Sequence, residues 1–320
     1  MSVVFGLDGG GTKTLAALAD RQGRVLRCDA GPGLDPTAGP DWQQGLADLV
    51  GDYGAIAAGV LGLPYHGEVP WITAEQQRVA AQVLHGPVQV VNDVQVAFEG
   101  AFAGGPGVLV LAGTGSMAWA RGVAQDVRVG GWGDVFGDEG SAHFIGLSAL
   151  RRVSWHLDGR TEAAVLCAAV LRHLGLGDGG AGAGFALIDW AYGPGRTRAT
   201  VAGLARIVDA LAEAGCDTAR DLMAEAAGHL VLLARVAAGK AGLSARSTGP
   251  VQWSHGGGVF RSALIRAEVG RVLGTDAAAP RLPPLGGALL AAARMAGWQI
   301  DAAWVARLSD GLHAVQDRGA

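Results

Sequence analysis

The chain has 320 residues, half of them hydrophobic and only 17% charged, which is enough to bury two ordinary cores and too apolar for a disordered chain. Its formal net charge is −4 and no segment gathers Lys or Arg, which argues against a nucleic-acid or anionic-membrane surface and makes a small molecule the expected partner. Cys28, Cys167 and Cys216 are far apart with no CxxC pair, so neither a zinc site nor a disulfide framework is expected, and reduced thiols in a cytoplasmic protein are the simple reading.

The N-terminus, MSVVFGLDGGG, has no basic n-region and no long apolar h-region, and no uninterrupted apolar run reaches about 18 residues. No signal peptide and no membrane span are therefore expected. VVFGL (3–7) reads as a buried strand, DGGGTKT breaks it, TLAALAD resumes it, RQG turns, and RVLRCDAG is a third strand. That is an antiparallel meander. AIAAGVLGL (55–63) reads as another strand, and TAEQQRVAAQVL (73–84) as a helix with Thr73 as its N-cap. PVQVVND (87–93) is a strand, and VQVAFEGAFAG after it is a helix. At 107–122, GVLVLAGTGSMAWARG repeats the opening layout of apolar strand, glycine turn and apolar strand. This suggests an internal duplication with a boundary near GGPG (104–107). Helices are then expected over 139–157, 161–174, 197–214, 217–239, 260–273, 285–297 and 301–316, interrupted by a strand in PVQWSHGGGV (250–259). The expected class is α/β, with two similar lobes over 1–106 and 107–320, the second enlarged by helices.

DGGGTKT does not fit a Walker A loop in any register. Its three glycines let backbone amides approach oxygens, Thr12 adds a hydroxyl and Lys13 a positive charge. It is either a phosphate cradle or a hairpin turn whose glycines serve only positive φ. Asp8, at the strand end, is placed to hold Mg²⁺ directly or through water. AGTGSMA (112–118) matches the dinucleotide fingerprint G-x-G-x-x-A, but that fingerprint must open a helix, and MAWARG is too short for one before Gly122. A second phosphate hairpin fits better. HGGGV (255–259) either lays a flat base against glycine backbone or is a plain strand-to-helix turn. In VVND (90–93), Asp93 is either a general base for a hydroxyl or, like Asn92, a helix cap. The histidines show no HxH, HxxxH or HExxH spacing for a metal.

Taken in order, LDGGGTKT, VVND, LAGTGSMAW, GGWGDVFGDEGSAHFIG, HGGGV and PPLGGALLAA resemble the BadF/BadG/BcrA/BcrD ATPase family, and within it the N-acetylglucosamine kinases of the actin-like ATPase superfamily. Each motif alone is weak; six in the right order, spanning roughly residues 3–297, are specific. The resemblance implies two RNase H-like lobes with ATP and Mg²⁺ in the cleft between them. It implies phosphate loops at Gly10, Gly11, Thr12 and Lys13 and at Gly113, Thr114, Gly115 and Ser116, with Asp8 for the metal. Gly256, Gly257 and Gly258 would be the adenosine motif, with Ala212 a less specific neighbour of the nucleotide. Asp93 matches the catalytic aspartate, with Asn92 beside it, and Thr114, Gly131, Trp132, Gly133 and Asp138 match the sugar side.

Within GWGDVFGDEGS (131–141), Asp138 is the best candidate for accepting two sugar hydroxyls at once. Glu139 either helps it or starts the helix EGSAHFIGL, Trp132 supplies a wall of the sugar pocket, and Asp134 is merely solvated. One departure stands out. Where the family's sugar kinases often show Asn after the third strand, ungapped spacing puts Asp35 in GPGLDPT. An ionised carboxylate only accepts hydrogen bonds, so Asp35 is expected to favour a free amino group, as on glucosamine, over an N-acetyl group.

The implied activity is an ATP-dependent kinase acting on N-acetylglucosamine or glucosamine at O6, or on another sugar such as N-acetylmuramate. A sibling branch, the activator ATPases of 2-hydroxyacyl-CoA dehydratases, holds an iron–sulfur cluster through cysteines, and no cluster loop is seen here. A sugar-sensing regulator would need a DNA-binding module, for which no room is seen before residue 3 or after 316. The resemblance also implies a homodimer. The apolar C-terminal helices with Trp298 and Trp304 serve that contact or pack in the core.

Overall fold

Strand β1 (Val3–Gly9) shows how the first sheet is built. Val3, Phe5 and Leu7 enter one apolar cluster and Val4 enters another, so the strand is buried on both faces. The computed structural model describes residues 2–10, 13–51, 53–122, 125–243 and 251–318. In it, β1 pairs antiparallel with β2 (Lys13–Asp20), which pairs antiparallel with β3 (Val25–Pro32). On its other side β1 pairs parallel with β4 (Ala58–Leu63), and β4 pairs parallel with β5 (Val88–Asn92). The sheet order is β3-β2-β1-β4-β5.

Helices Asp41–Val50 and Pro70–Val83 cover one face through Trp42, Leu46, Leu49, Val79 and Ala80. The other face takes Val96 of helix Asp93–Phe102, Leu285 and Leu289 of Pro284–Met295, and Trp304, Leu308 and Leu312 of Ala302–Arg318. The C-terminal helices therefore belong to the first unit, Met1–Pro106 with Ala279–Ala320, and the second unit is Gly107–Ala278. This corrects the expectation that all of 107–320 forms the second lobe. The reason is close backbone packing. A Cβ on Gly287 would stand 2.0 Å from the Val96 carbonyl, so only glycine lets the helix Pro284–Met295 approach Asp93–Phe102 that closely. Trp298 and Trp304 are buried in this same core, which settles their role as packing rather than surface contact.

The second unit repeats the sheet pattern. β6 (Gly107–Ala112), β7 (Ser116–Arg121) and β8 (Asp126–Gly130) form an antiparallel meander, and β9 (Trp253–Gly256) pairs parallel with β6. Helices Ala142–Leu157, Ala164–His173, Ala205–Glu213, Asp217–Lys240 and Ala263–Leu273 contribute to one apolar cluster with this sheet. Asp217–Lys240 is long and apolar enough to cross a membrane by length and composition, and half of its apolar window is buried inside the protein. The fold is α/β with two RNase H-like units, the second enlarged by helices, as expected.

Several local expectations change. The helix expected from Thr73 begins at Pro70 after Val69, because proline suits a first helical position, and the Thr73 hydroxyl donates back to the Val69 carbonyl at 3.0 Å. The stretch 197–214 is two helices, Arg198–Gly203 and Ala205–Glu213, broken at Leu204. Helices Asp41–Val50 and Ala183–Tyr192 and strand β8 were not expected from the sequence.

Candidate active site

In the first unit, Asp8 follows Val4 and Gly6 at every second position of β1, which puts its carboxyl on the face covered by helix Asp93–Phe102. It lies in register with Gly62 of β4, and β5 ends at Asn92, so Asp8 and Asp93 stand at the carboxyl ends of parallel strands. Burial first, and the Asp93 charge second, push the Asp8 carboxyl from its ordinary 3.8 up to about 7. A buried acid raised in part by a second acid beside it fits a divalent cation. Mg²⁺ uses one or two carboxylates and fills its other positions with water and phosphate oxygens. Among the described residues no group of three or more His, Cys, Asp or Glu side chains forms a fuller metal cage.

Asn92 is the N-cap of the helix that Asp93 opens. Its Oδ1 accepts from the Val94 amide at 3.1 Å, and Asp93 Oδ1 accepts from the same amide at 2.8 Å. The Asn92 amide group donates to the His66 carbonyl and to Glu68 Oε1, both at 3.0 Å. Sequence reasoning missed this loop after β4. Gln76, fully buried, supports it by donating to the Pro64 carbonyl at 2.8 Å and pairing with His66 Nδ1 at 3.0 Å. Its one signal was position, polar residues directly after an apolar strand. Burial lowers the His66 imidazole below its ordinary value.

The first hairpin is closed by the Gly10 amide donating to the Lys13 carbonyl at 3.0 Å, with Lys13 exposed. Gly11 and Thr12 lie outside the described residues. The Leu34 amide donates to the Gly10 carbonyl at 3.0 Å, which ties the loop bearing Asp35 to this hairpin. Asp35 Oδ1 accepts from the Thr37 amide at 2.8 Å and the Thr37 hydroxyl at 2.7 Å, a local turn occupying one carboxylate oxygen.

In the second unit, Gly113, Thr114, Ala142, Arg206, Glu213 and Gly258 help line a cavity of about 840 Å³. β6 and β7 form the expected hairpin and no helix follows the glycine turn, so AGTGSMA is not a dinucleotide fingerprint in context. Helix Ala142–Leu157 begins against this turn, its Ala142 and His143 amides donating to the Gly113 and Thr114 carbonyls at 2.8 and 3.4 Å. The cap is Ser141, whose hydroxyl accepts from Phe144 at 3.1 Å, so Glu139 precedes the helix rather than starting it. Gly257 has φ +91, and a Cβ there would lie 2.3 Å from the Ala112 carbonyl; glycine is what lets HGGGV pass the hairpin. Ala212 is fully buried in the core, and the cavity is lined instead by its neighbours Ala210 and Glu213. Asp209, also on the lining, accepts from the Ser262 hydroxyl at 2.6 Å.

Ser116 is buried. Its amide donates to Asp138 Oδ1 at 3.1 Å and its hydroxyl to the Glu139 carbonyl at 2.7 Å, so it pins the acidic loop to the hairpin. Asp138 is 4% exposed and its Oδ2 accepts from Arg198 Nη2. Asp134 lies 3.8 Å from Arg198 Nε, so it is not merely solvated. Gly131 and Gly133 both have positive φ, and Trp132 between them is 69% exposed. Arg198 was missed in the sequence, where nothing in RTRAT marks a partner some sixty residues back.

A family model described as the BadF/BadG/BcrA/BcrD ATPase family matches residues 52–292. The chain belongs to this family. An N-acetylmuramic acid/N-acetylglucosamine kinase of Clostridium acetobutylicum is 29% identical over 246 residues, 72% of this chain and 78% of that protein. A solved structure from Chromobacterium violaceum, described as a candidate N-acetylglucosamine kinase, is 26% identical with TM-score 0.73 over 91% of this chain and 98% of that one. A Porphyromonas gingivalis protein of the same description is 18% identical with TM-score 0.67, covering 90% of this chain and 97% of that one. A ROK hexokinase from Thermus thermophilus is 18% identical with TM-score 0.54, covering 92% of this chain and 99% of that one. The last two show the fold alone.

Proposed function

We propose that this family member is an ATP-dependent kinase that phosphorylates an amino sugar of the N-acetylglucosamine and N-acetylmuramate class, at its primary O6 hydroxyl. One observation carries the reading. Gly113 and Thr114 of one glycine motif and Gly258 of another, distant in the chain, line one cavity of the second unit. Its volume of about 840 Å³ suits a nucleotide. Phosphoryl transfer needs positioning and charge neutralisation more than covalent chemistry. In this reading the hairpin amides hold the phosphates and Asp93 takes the proton of the attacking hydroxyl. Bound at Asp8, Mg²⁺ supplies neutralisation of phosphate charge. Asp138 accepts sugar hydroxyls with the lone pairs left by Ser116 and Arg198. The reading keeps the homodimer implied by the resemblance, which sedimentation measures directly.

ADP release should depend on sugar when glucosamine, N-acetylglucosamine, N-acetylmuramate, glucose and mannosamine are compared. The 6-deoxy form of the best substrate should not turn over. ATP hydrolysis indifferent to sugar would sink the kinase reading, and turnover of the 6-deoxy sugar would move the acceptor away from O6.

Gly257→Ala is expected to weaken ATP binding about tenfold or more by calorimetry, because a left-handed position and a blocked approach to Ala112 together cost about 1–3 kcal/mol. Unchanged ATP affinity would place the nucleotide elsewhere. Asp35→Asn keeps an oxygen for the Thr37 amide, so the turn should survive. The kcat/KM ratio of glucosamine to N-acetylglucosamine should fall about tenfold, as expected for one ionic hydrogen bond lost and one amide donor gained. An unchanged ratio would remove Asp35 from substrate selection.

A further inference from the structure

Arg198 opens the helix Arg198–Gly203 behind a capping box in which the Thr197 amide donates to Thr200 Oγ1 at 2.8 Å and the Thr200 amide to Thr197 Oγ1 at 3.1 Å. So short a helix has little stability of its own. The box fixes where its first side chain starts, and that side chain ends on Asp138. Nη2 donates to Asp138 Oδ2, and Nε stands 3.8 Å from Asp134.

Asp138 combines two costly conditions. Its carboxyl is 4% exposed, and its backbone has φ +58 without being glycine. The Ser116 amide, at 3.1 Å, satisfies one lone pair of Oδ1. A carboxylate so buried needs bonded partners for its oxygens, and Arg198 provides one. The hairpin leaves the space. A Cβ on Gly115 would lie 2.9 Å from Arg198 Nη2 and from both Asp138 carboxylate oxygens. The helix that carries Arg198 also lines the 840 Å³ cavity with Ala199, Ala202 and Gly203. The helical insertion thus reaches the acidic loop and the cavity wall through one element.

We propose that Arg198 is a positioning residue for the substrate sugar: its bond to Oδ2 holds the buried Asp138 carboxylate in one orientation, and so sets sugar affinity without touching the sugar. This rests on Asp138 reading the sugar, as proposed above.

The test compares sugar KM, ATP KM and kcat for Arg198→Met, Arg198→Lys, Asp138→Asn and the double variant Asp138→Asn/Arg198→Met. Arg198→Met should raise sugar KM about tenfold or more while ATP KM stays within about twofold, since breaking a buried pair leaves its acid unpaired. Arg198→Lys keeps the charge without the planar fork and should raise sugar KM about threefold. In the Asp138→Asn background, Arg198→Met should no longer change sugar KM, because the charge it serves is gone. Normal sugar KM in Arg198→Met, or the same increase in both backgrounds, overturns the proposal. If Arg198→Met does not fold, Arg198→Lys decides, and unchanged sugar KM there overturns it. Asp138→Asn with normal sugar KM fails differently: it removes Asp138 from sugar recognition and the proposal with it.

Discussion

Replacing Asp93 by Asn is expected to lower kcat by about 10²–10⁴, the usual worth of a positioned general base, while ATP and sugar binding by calorimetry stay close to normal. Local geometry makes this substitution clean. The helix cap belongs to Asn92, whose Oδ1 keeps the Val94 amide, and an Asn at 93 retains an oxygen for that amide. The helix Asp93–Phe102 also keeps Val96 and Phe98 in the core, so the fold has no reason to yield. The same change removes the second cause of the elevated Asp8 carboxyl, so Asp8 should ionise at lower pH in this variant by NMR titration. A near-normal kcat would end the base role. A normal kcat with an altered Asp8 titration would leave Asp93 only an electrostatic neighbour.

The second large effect concerns Asp8 itself. Burial first, and the Asp93 charge second, push its carboxyl in the folded protein up to about 7 from the ordinary 3.8. The folded state therefore holds a proton that the unfolded state has released. Stability falls as pH rises through that window and stays low above it; below about pH 4 both states are protonated and the penalty vanishes, so stability is full there. The ceiling is about 4 kcal/mol, reduced by the water that reaches part of the side chain. Asp8→Asn should therefore raise Tm at pH 8 in the presence of EDTA by about 5 °C or more, and by much less at pH 5. Saturating Mg²⁺ should narrow the gap at pH 8, because a bound cation stabilises only the protein that keeps the carboxylate. Equal melting of the two proteins at both pH values would mean Asp8 is not under this pressure. A Mg²⁺ effect as large in Asp8→Asn would put the cation elsewhere.

Much of the fold was legible because it is written in local periodicity. Val3, Phe5 and Leu7 against Val4 announce a strand buried on both faces, and the glycine turns at 9–11 and 113–115 announce hairpins, so the first meander and the β6–β7 hairpin follow from short stretches, whereas β8 does not. Helix starts were less legible. Thr73 and Glu139 carry the right chemistry for a helix entrance, yet Pro70 starts the first helix through its fixed φ, and Ser141 takes the orphan amide of Phe144 at the second. Ala212 shows the same limit at the site. A motif match located the helix, but which side chains of that turn reach the cavity depends on the helix's rotation against the core, and Ala210 and Glu213 face it.

By itself, then, the sequence determined the class of fold, the two glycine hairpins, the strand-end acid at 93 and the order of motifs that marks the family, because each is encoded within about ten neighbouring residues. Only the tertiary structure decided that the Asp93 charge acts on Asp8, that Pro284–Met295 returns to the first sheet through Gly287 and that Arg198 closes on Asp138. These are contacts between segments tens to hundreds of residues apart. Their pairing is selected by shape and by the cost of leaving a buried charge alone, and neither quantity exists until the chain has closed its long loops.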